Sequence, residues 1–320
     1  MLVLHEGETA QALKWAELID AIERMFRSSC VMPVRHHHDV AVPGEANATL
    51  LLMPAWVPGD YIGVKLVSVF PDNHLRGLPA IFGSYILSSG KTGKMLAVVD
   101  GGELTARRTA ATSALAAKYL AREDASDLLV VGTGRLSLNL IQAHSAVRPI
   151  GRISIWGRNP ANAEKTAEDA RALGFAVSVS TDLESAVRTA DIISCATLSH
   201  EPLVHGAWLK PGAHLDLIGA FKPTMRESDD EAVRRASVFV DTRAGAMSEA
   251  GDILQPLKAG IITEADIRAD LFDLAVARHA GRTSAEEITL FKSVGAALED
   301  LAGAILAYET AMEPFARQEA

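Results

Sequence analysis

The chain has only two cysteines among 320 residues, Cys30 and Cys195, and neither stands in a CxxC or metal-ligand spacing. That scarcity excludes a disulfide framework and a cysteine-built metal site, and it fits a protein kept in a reducing compartment. Positive charge is also short, with 31 Lys and Arg against 40 Asp and Glu and a net charge of −9. Nucleic-acid and anionic-membrane surfaces need clustered basic side chains, so neither is expected as a partner. A small anionic substrate remains open, because a few local arginines suffice for it. No uninterrupted run of about 18 apolar residues occurs, so no membrane span is expected. The opening "MLVLHEGETA" lacks a basic segment followed by a long apolar core. No signal peptide is therefore expected, and the location is read as cytoplasmic.

What is present is ordinary globular composition, 48% hydrophobic and 22% charged, in a chain long enough for two domains. The rhythm changes near residue 103. Before it, short β-like runs such as "ATLLLMPAW", "YIGVKLVSVF" and "AIFGSYILSS" are punctuated by Gly, Pro and Asn. "SGKTGKMLAVVD" reads as a hairpin with its turn at residues 91–94. From Leu104 onward helical and strand-like segments alternate. Six apolar runs, "DLLVVGTG", "ISIWGR", "AVSVS", "DIISCAT", "HLDLIG" and "SVFVDT", have helix-length crossovers. The pattern predicts an α/β fold, a Rossmann doubly wound parallel sheet beside an α+β domain. The tail from Ser284 reads as mostly helical, with Ser284 as cap and Glu287 three residues on.

Within "DLLVVGTGRLSLNLIQAH", Gly132 and Gly134 follow a strand and precede a helix, with Thr133, Arg135 and Leu136 completing the turn. A turn without side chains lets backbone N–H groups and a helix N-terminus approach a pyrophosphate. The third fingerprint position is Ser137, small enough for close helix–strand packing. The second strand ends in Gly157, Arg158 and Asn159, where an NAD-type site places an acid on the ribose 2′-hydroxyl. An acid would repel a 2′-phosphate and Arg158 can pair with it, so NADPH is the expected cofactor, with NADH as a lesser substitute. The triple His36, His37 and His38 puts two rings on one strand face, but no nearby ligand cluster completes a site, and no metal is expected. Cys195 reads as a buried small hydrophobe, and Asp216 and Asp241 as acids at apolar strands with structural hydrogen bonds.

The block over residues 65–111 resembles the ornithine cyclodeaminase/mu-crystallin family. The residues that carry the resemblance are Lys65, Gly77, Leu78, Pro79, Thr92, Gly93, Leu96, Ala97, Asp100, Gly101, Leu104, Thr105, Arg108, Thr109, Ala110 and Ala111. "GAFKPTMRESDDE" and "ITLFKSVGAALEDLAGAILAY" extend it. The resemblance implies a homodimer. It implies a substrate-binding and dimerisation domain of residues 1–118 and 290–320, with a Rossmann domain of residues 119–289 between them. It also implies that Arg35, Lys65 and Arg108 hold a substrate carboxylate. The Arg-Thr-Ala-Ala match selects Arg108 over its neighbour Arg107. Thr109, Ala196, Thr197, Gly219, Ala220 and Ser293 join the expected cofactor contacts.

In the cyclodeaminases of this family a catalytic aspartate follows the fifth strand. Alignment on Gly219 and Pro223 puts Phe221 at that place, and phenylalanine can neither accept nor donate a proton. Glu227 and Asp229, several residues on, read instead as the start of the next helix. The loop form resembles the reductase-like members, which reduce Δ1-pyrroline-2-carboxylate to L-proline and Δ1-piperideine-2-carboxylate to L-pipecolate. On this reading Phe221 is a wall of the substrate pocket, and Lys65 is both carboxylate anchor and candidate proton source. Three alternatives stay open: reductive amination of 2-oxo acids in the manner of an alanine dehydrogenase, cyclodeamination through another acid, and a non-catalytic NADPH-binding protein.

Overall fold

In the computed structural model, which describes residues 1–316, the punctuated runs of the first hundred residues form one six-stranded sheet. Its strands are β1 (Leu2–Leu4), β2 (His36–Val40), β3 (Ala48–Val57), β4 (Tyr61–Val69), β5 (Ile81–Ser89) and β6 (Met95–Asp100), in the order β1-β6-β5-β4-β3-β2. Only the β1–β6 pairing is parallel. The tight link between β5 and β6 turns on Gly93, whose φ of 71° suits glycine. Period-two alternation puts Met53, Ala55, Lys65, Tyr85, Leu87, Ala97 and Val99 on the buried face. Helices α1 (Glu6–Ala12) and α2 (Trp15–Arg27) and the C-terminal helix Ala297–Ala316 belong to the same unit, the last of them packed on β3, β4 and β5. In α2, Leu18, Ile19, Ile22, Met25 and Phe26 recur at helical spacing and are buried.

Helix α3 (Gly101–Leu120) begins where Asp100 Oδ1 accepts from Glu103 N at 2.7 Å, and its alanines favour the helix throughout. The second unit follows. Its strands are β7 (Asp127–Val131), β8 (Arg152–Trp156), β9 (Val177–Val179), β10 (Ile192–Cys195), β11 (His214–Leu217), β12 (Ser237–Val240), β13 (Ile267–Asp270) and β14 (Thr289–Lys292). They pair in parallel in the order β13-β12-β14-β11-β10-β7-β8-β9. The order reverses between β7 and β10, the place where doubly wound sheets bind ligands beyond the strand ends. Helices α4 (Arg135–Ser145) and α5 (Pro160–Ala172) connect β7 to β8 and β8 to β9.

The sheet has eight strands rather than the six expected. β14, in the stretch read as a helix start, lies near its centre with all four residues buried. Fully buried parallel strands do not alternate, and a four-residue apolar run carries no period of its own. The expected cap at Ser284 is a turn: Ser284 Oγ accepts from Glu287 N at 3.1 Å, and the Glu287 carboxylate takes Thr283 N, without a helix following. The division between units falls after Arg108 and before Ala297, not at 118 and 290. Helix α3 runs through the first boundary, and β14 keeps its segment in the parallel sheet. No helix among the described residues is long and apolar enough to cross a membrane.

Candidate active site

In the first unit, Lys65 projects from the buried face of β4 and its Nζ lies 2.7 Å from Asp300 Oδ2. Arg108 donates from Nε to Asp300 Oδ1 at 2.9 Å and from Nη1 to Glu299 Oε2 at 2.7 Å. All four side chains are buried. Glu299 and Asp300 stand in the first turn of the C-terminal helix, where the helix dipole favours acids. Burial pushes the Lys65 ammonium down to about 8; Asp300 opposes that shift, while Arg108 and Arg35 add to it. Burial alone would raise the Asp300 carboxyl, but Arg108 and Lys65 outweigh it and hold the group below the ordinary carboxylate range. Tyr85 faces Lys65 across the β4–β5 ladder, fully buried, with its hydroxyl unpartnered.

The structure thus brings Lys65 and Arg108 onto one carboxylate, with Arg35 near enough for its charge to act on Lys65. Arg107 turns elsewhere, to Glu103 and the Leu13 carbonyl, with its guanidinium 5.0 Å from the Trp15 ring centroid. Sequence reasoning missed Asp300, Glu299 and Tyr85. The available signal was the adjacent acid pair in the otherwise apolar stretch "AALEDLAGAI".

In the second unit, Gly132 has φ 133°, and a Cβ there would stand 2.7 Å from the Ala196 carbonyl oxygen. Gly157 is tight too, since a Cβ would meet Thr133 Cγ2 at 2.4 Å. Gly134 caps α4, and a Cβ on it would meet nothing within 4 Å, so the approach to the helix N-terminus stays clear. Arg135 and Leu136 are the first residues of that helix. Ser137 does more than fit, because its hydroxyl donates to the Gly132 carbonyl at 3.0 Å and closes the turn. Arg158 is exposed and has no ion pair or hydrogen bond among the described residues, while Asn159 caps α5 by accepting from Ala161 N at 3.0 Å. Thr109 is half-buried on α3. This arrangement fits a dinucleotide: a bare turn, a clear helix N-terminus, and a cation with no acid after β8.

Ala196 and Thr197 follow β10, Gly219 and Ala220 follow β11, and Ser293 follows β14. The Ser293 hydroxyl is engaged by Asp241, whose Oδ2 accepts from Ser293 Oγ at 2.9 Å and from Val294 N and Gly295 N at 2.8 Å each. Asp216 takes the Ser113 hydroxyl from α3 and the Ser194 hydroxyl from the neighbouring strand β10. Asp229 caps the helix Asp230–Arg235 as expected, but Glu227 does not start a helix; it is wholly buried. Phe221 is 40% exposed, with Lys222 Nζ 5.8 Å from its ring centroid. Burial raises the Cys195 thiol well above its ordinary range, which suits a core side chain and not a nucleophile. His36, His37 and His38 lie exposed on the edge strand β2.

Removing the shared carboxylate takes a charged partner from each of two buried cations, with Arg108 keeping Glu299. Asp300→Asn is expected to cost about 3–5 kcal/mol of stability. Urea denaturation measures it, and a loss below about 1 kcal/mol would show that the two cations do not depend on this group.

The sequence pattern of the ornithine cyclodeaminase/mu-crystallin family matches residues 1–314. Among curated relatives, the Δ1-pyrroline-2-carboxylate reductase of Paracoccus denitrificans is 38% identical over 299 residues, 93% of each chain. Among solved structures, the Δ1-pyrroline-2-carboxylate reductase of Thermococcus litoralis, in complex with NADH and L-proline, matches with a TM-score of 0.90 and 36% identity over 98% of each chain. An archaeal alanine dehydrogenase dimer with bound NAD matches with a TM-score of 0.89 and 31% identity, over 98% of this chain and 97% of that one. The motif block from Lys65 to Ala111 is therefore one part of a likeness that runs the length of the molecule, and the chain belongs to the ornithine cyclodeaminase/mu-crystallin family.

Proposed function

We propose that the protein reduces cyclic ketimine carboxylates, Δ1-pyrroline-2-carboxylate to L-proline and its six-ring homologue Δ1-piperideine-2-carboxylate to L-pipecolate, with NADPH as the favoured reductant. The observation that carries this reading is the buried convergence of Lys65 and Arg108 on Asp300. Arg35 acts on Lys65 through its charge as well, so a substrate carboxylate entering here would meet a cluster of cations. The arginines match a carboxylate by fork geometry and Lys65 as a point charge. An ammonium titrating at about 8 can also give a proton to an imine nitrogen near neutral pH. Phe221, where the cyclodeaminases carry an acid, removes the group that ring closure with loss of ammonia would need. The relatives named as Δ1-pyrroline-2-carboxylate reductases support the same chemistry.

A nicotinamide dinucleotide held by the second unit would supply the hydride. The chain's own part would be to hold the dinucleotide: the Gly132 turn and the N-terminus of α4 would receive the pyrophosphate, and Arg158 would receive a 2′-phosphate. An open-chain reading, reductive amination of a 2-oxo acid, is favoured by the likeness to the archaeal alanine dehydrogenase and uses the same carboxylate anchors. A homodimer is part of the proposal as well. The outer face of the first sheet exposes Ile62 and Phe82, 39% and 49%, and a second copy of that face is its occupant, as the dimeric likeness suggests.

Oxidation of NADPH with Δ1-pyrroline-2-carboxylate, run beside pyruvate with ammonia, separates the two substrate classes; turnover with pyruvate alone would reverse the assignment. Lys65→Met is expected to lower kcat by about a hundredfold or more. The wild-type rate is expected to fall as pH rises through about 8, because Lys65 is protonated only below that value. A change confined to KM would sink the proton-donor role. Arg158→Ala is expected to raise KM for NADPH by about 10–100-fold and leave KM for NADH unchanged; equal effects on both would remove the 2′-phosphate contact. Light scattering of the native protein is expected to give twice the 34.1 kDa chain mass, and Phe82→Asp to halve it. A wild-type mass of one chain would reject the dimer.

A further inference from the structure

We infer that Glu227 is a positioning residue of the nucleotide cradle: its single carboxylate ties the segment after β10 to the segment after β11 and fixes the wall against which the Gly132 turn closes. The inference rests on the dinucleotide reading above. Glu227 Oε1 accepts from Thr197 N at 2.6 Å and Thr197 Oγ1 at 2.8 Å. Its Oε2 accepts from Gly219 N at 2.8 Å and Ala220 N at 3.3 Å. The side chain is wholly buried, so no water can replace these acceptors without opening the loops.

The root of the side chain is fixed too. Glu227 N donates to Asp252 Oδ1 at 2.7 Å, and its carbonyl accepts from Leu203 N and Val204 N. Asp252 Oδ2 in turn takes Lys292 Nζ at 3.0 Å, which anchors the assembly to β14. What Glu227 holds lies directly on the cradle. A Cβ at Gly132 would stand 2.7 Å from the Ala196 carbonyl oxygen and 3.5 Å from Thr197 Cγ2, and one at Gly219 would stand 2.0 Å from the Thr197 carbonyl oxygen. The glycines let the three segments approach backbone to backbone, so displacement of one displaces the others.

An ionised carboxylate offers a full acceptor oxygen to each segment at once, and a protonated one does not. Protonation turns one oxygen into a donor aimed at N–H groups. The charged and titratable groups around Glu227 are Asp252 on the helix Gly251–Lys258, Lys292 on β14 and Cys195 on β10, with Asp216 of β11 also acting on Cys195. Burial pushes the Glu227 carboxyl up to about 7; Lys292 opposes that rise, Asp252 adds to it, and the Thr197 donors oppose it. A group with this poise is ionised above neutrality and loses its loop bonds as pH falls through about 7. If only the ionised form presents the closed wall, the fraction competent to bind changes about tenfold between pH 8 and pH 6.

The test is direct binding of NADH and NADPH, read by the change in cofactor fluorescence, across that range without substrate. NADH is the primary probe because it lacks the 2′-phosphate, whose second ionisation near 6 would add its own pH response. Wild-type protein is expected to bind NADH about tenfold more weakly at pH 6 than at pH 8. Glu227→Gln, which puts an amide NH2 against backbone N–H groups, is expected to bind about tenfold more weakly at pH 8 with a flat pH response. Thr197→Val removes one donor and is expected to move the midpoint upward, and it decides the matter if the Gln variant does not fold. Wild-type affinity and pH response in Glu227→Gln, or a pH response seen with NADPH alone, would overturn the inference. Absence of binding to either nucleotide at every pH would instead overturn the dinucleotide reading beneath it.

Discussion

Two cations can be buried under the first sheet only because a helix from the other end of the sequence brings a carboxylate to them. Asp300 meets Lys65 with one oxygen and Arg108 with the other, and Glu299 beside it takes a second Arg108 nitrogen. Burying an isolated ammonium or guanidinium costs several kcal/mol, so the anion is a condition of the arrangement and not an ornament. The same constraint explains why Lys65 stays ionisable near neutral pH. Desolvation drives the proton off, Asp300 holds it, and Arg108 and Arg35 push in the first direction. A residue set between such opposed forces can take or give a proton at little cost.

The second unit solves a different problem with the same kind of group. A parallel sheet ends in loops whose N–H donors have lost the ladder, and here buried carboxylates collect them. Asp241 gathers the segment after β14, Glu227 those after β10 and β11, and Asp252 the backbone of Glu227 and Ser228. Each supplies several acceptors from one side chain, so the crevice rim is shaped by few residues. Lys292 is the buried ammonium against this acid-rich rim, paired with Asp252.

Features whose cause is local could be read from the chain. The Gly132 turn, the missing acid after β8, the hairpin at Gly93 and the choice of Arg108 over Arg107 each depend on a few neighbouring residues. What could not be read depends on distant partners. Asp300 becomes part of the cation cluster only through Lys65 and Arg108, some 200 positions earlier. Strand β14 has no alternation because both of its faces are covered, so "TLFK" passes for the start of a helix. Glu227 looked like a helix-start acid because its neighbour Asp229 is one; only the fold shows that its carboxylate bridges two loops.

The first unit is assembled from both ends of the chain, Met1–Arg108 and the helix that begins at Ala297, whereas the second is contiguous. This sets an order on synthesis. The Rossmann unit can fold as soon as its own residues leave the ribosome, but the earlier-made sheet must wait for the last helix. Until then Lys65 and Arg108 lack Asp300, and the C-terminal helix does not cover the inner face of β3 to β5. The earlier-made sheet is thus the later to close, and its closure is a long-range event of high contact order. A chain that stalls before residue 300 leaves a complete nucleotide-binding unit attached to an open, half-built sheet, the species most exposed to aggregation and to proteolysis.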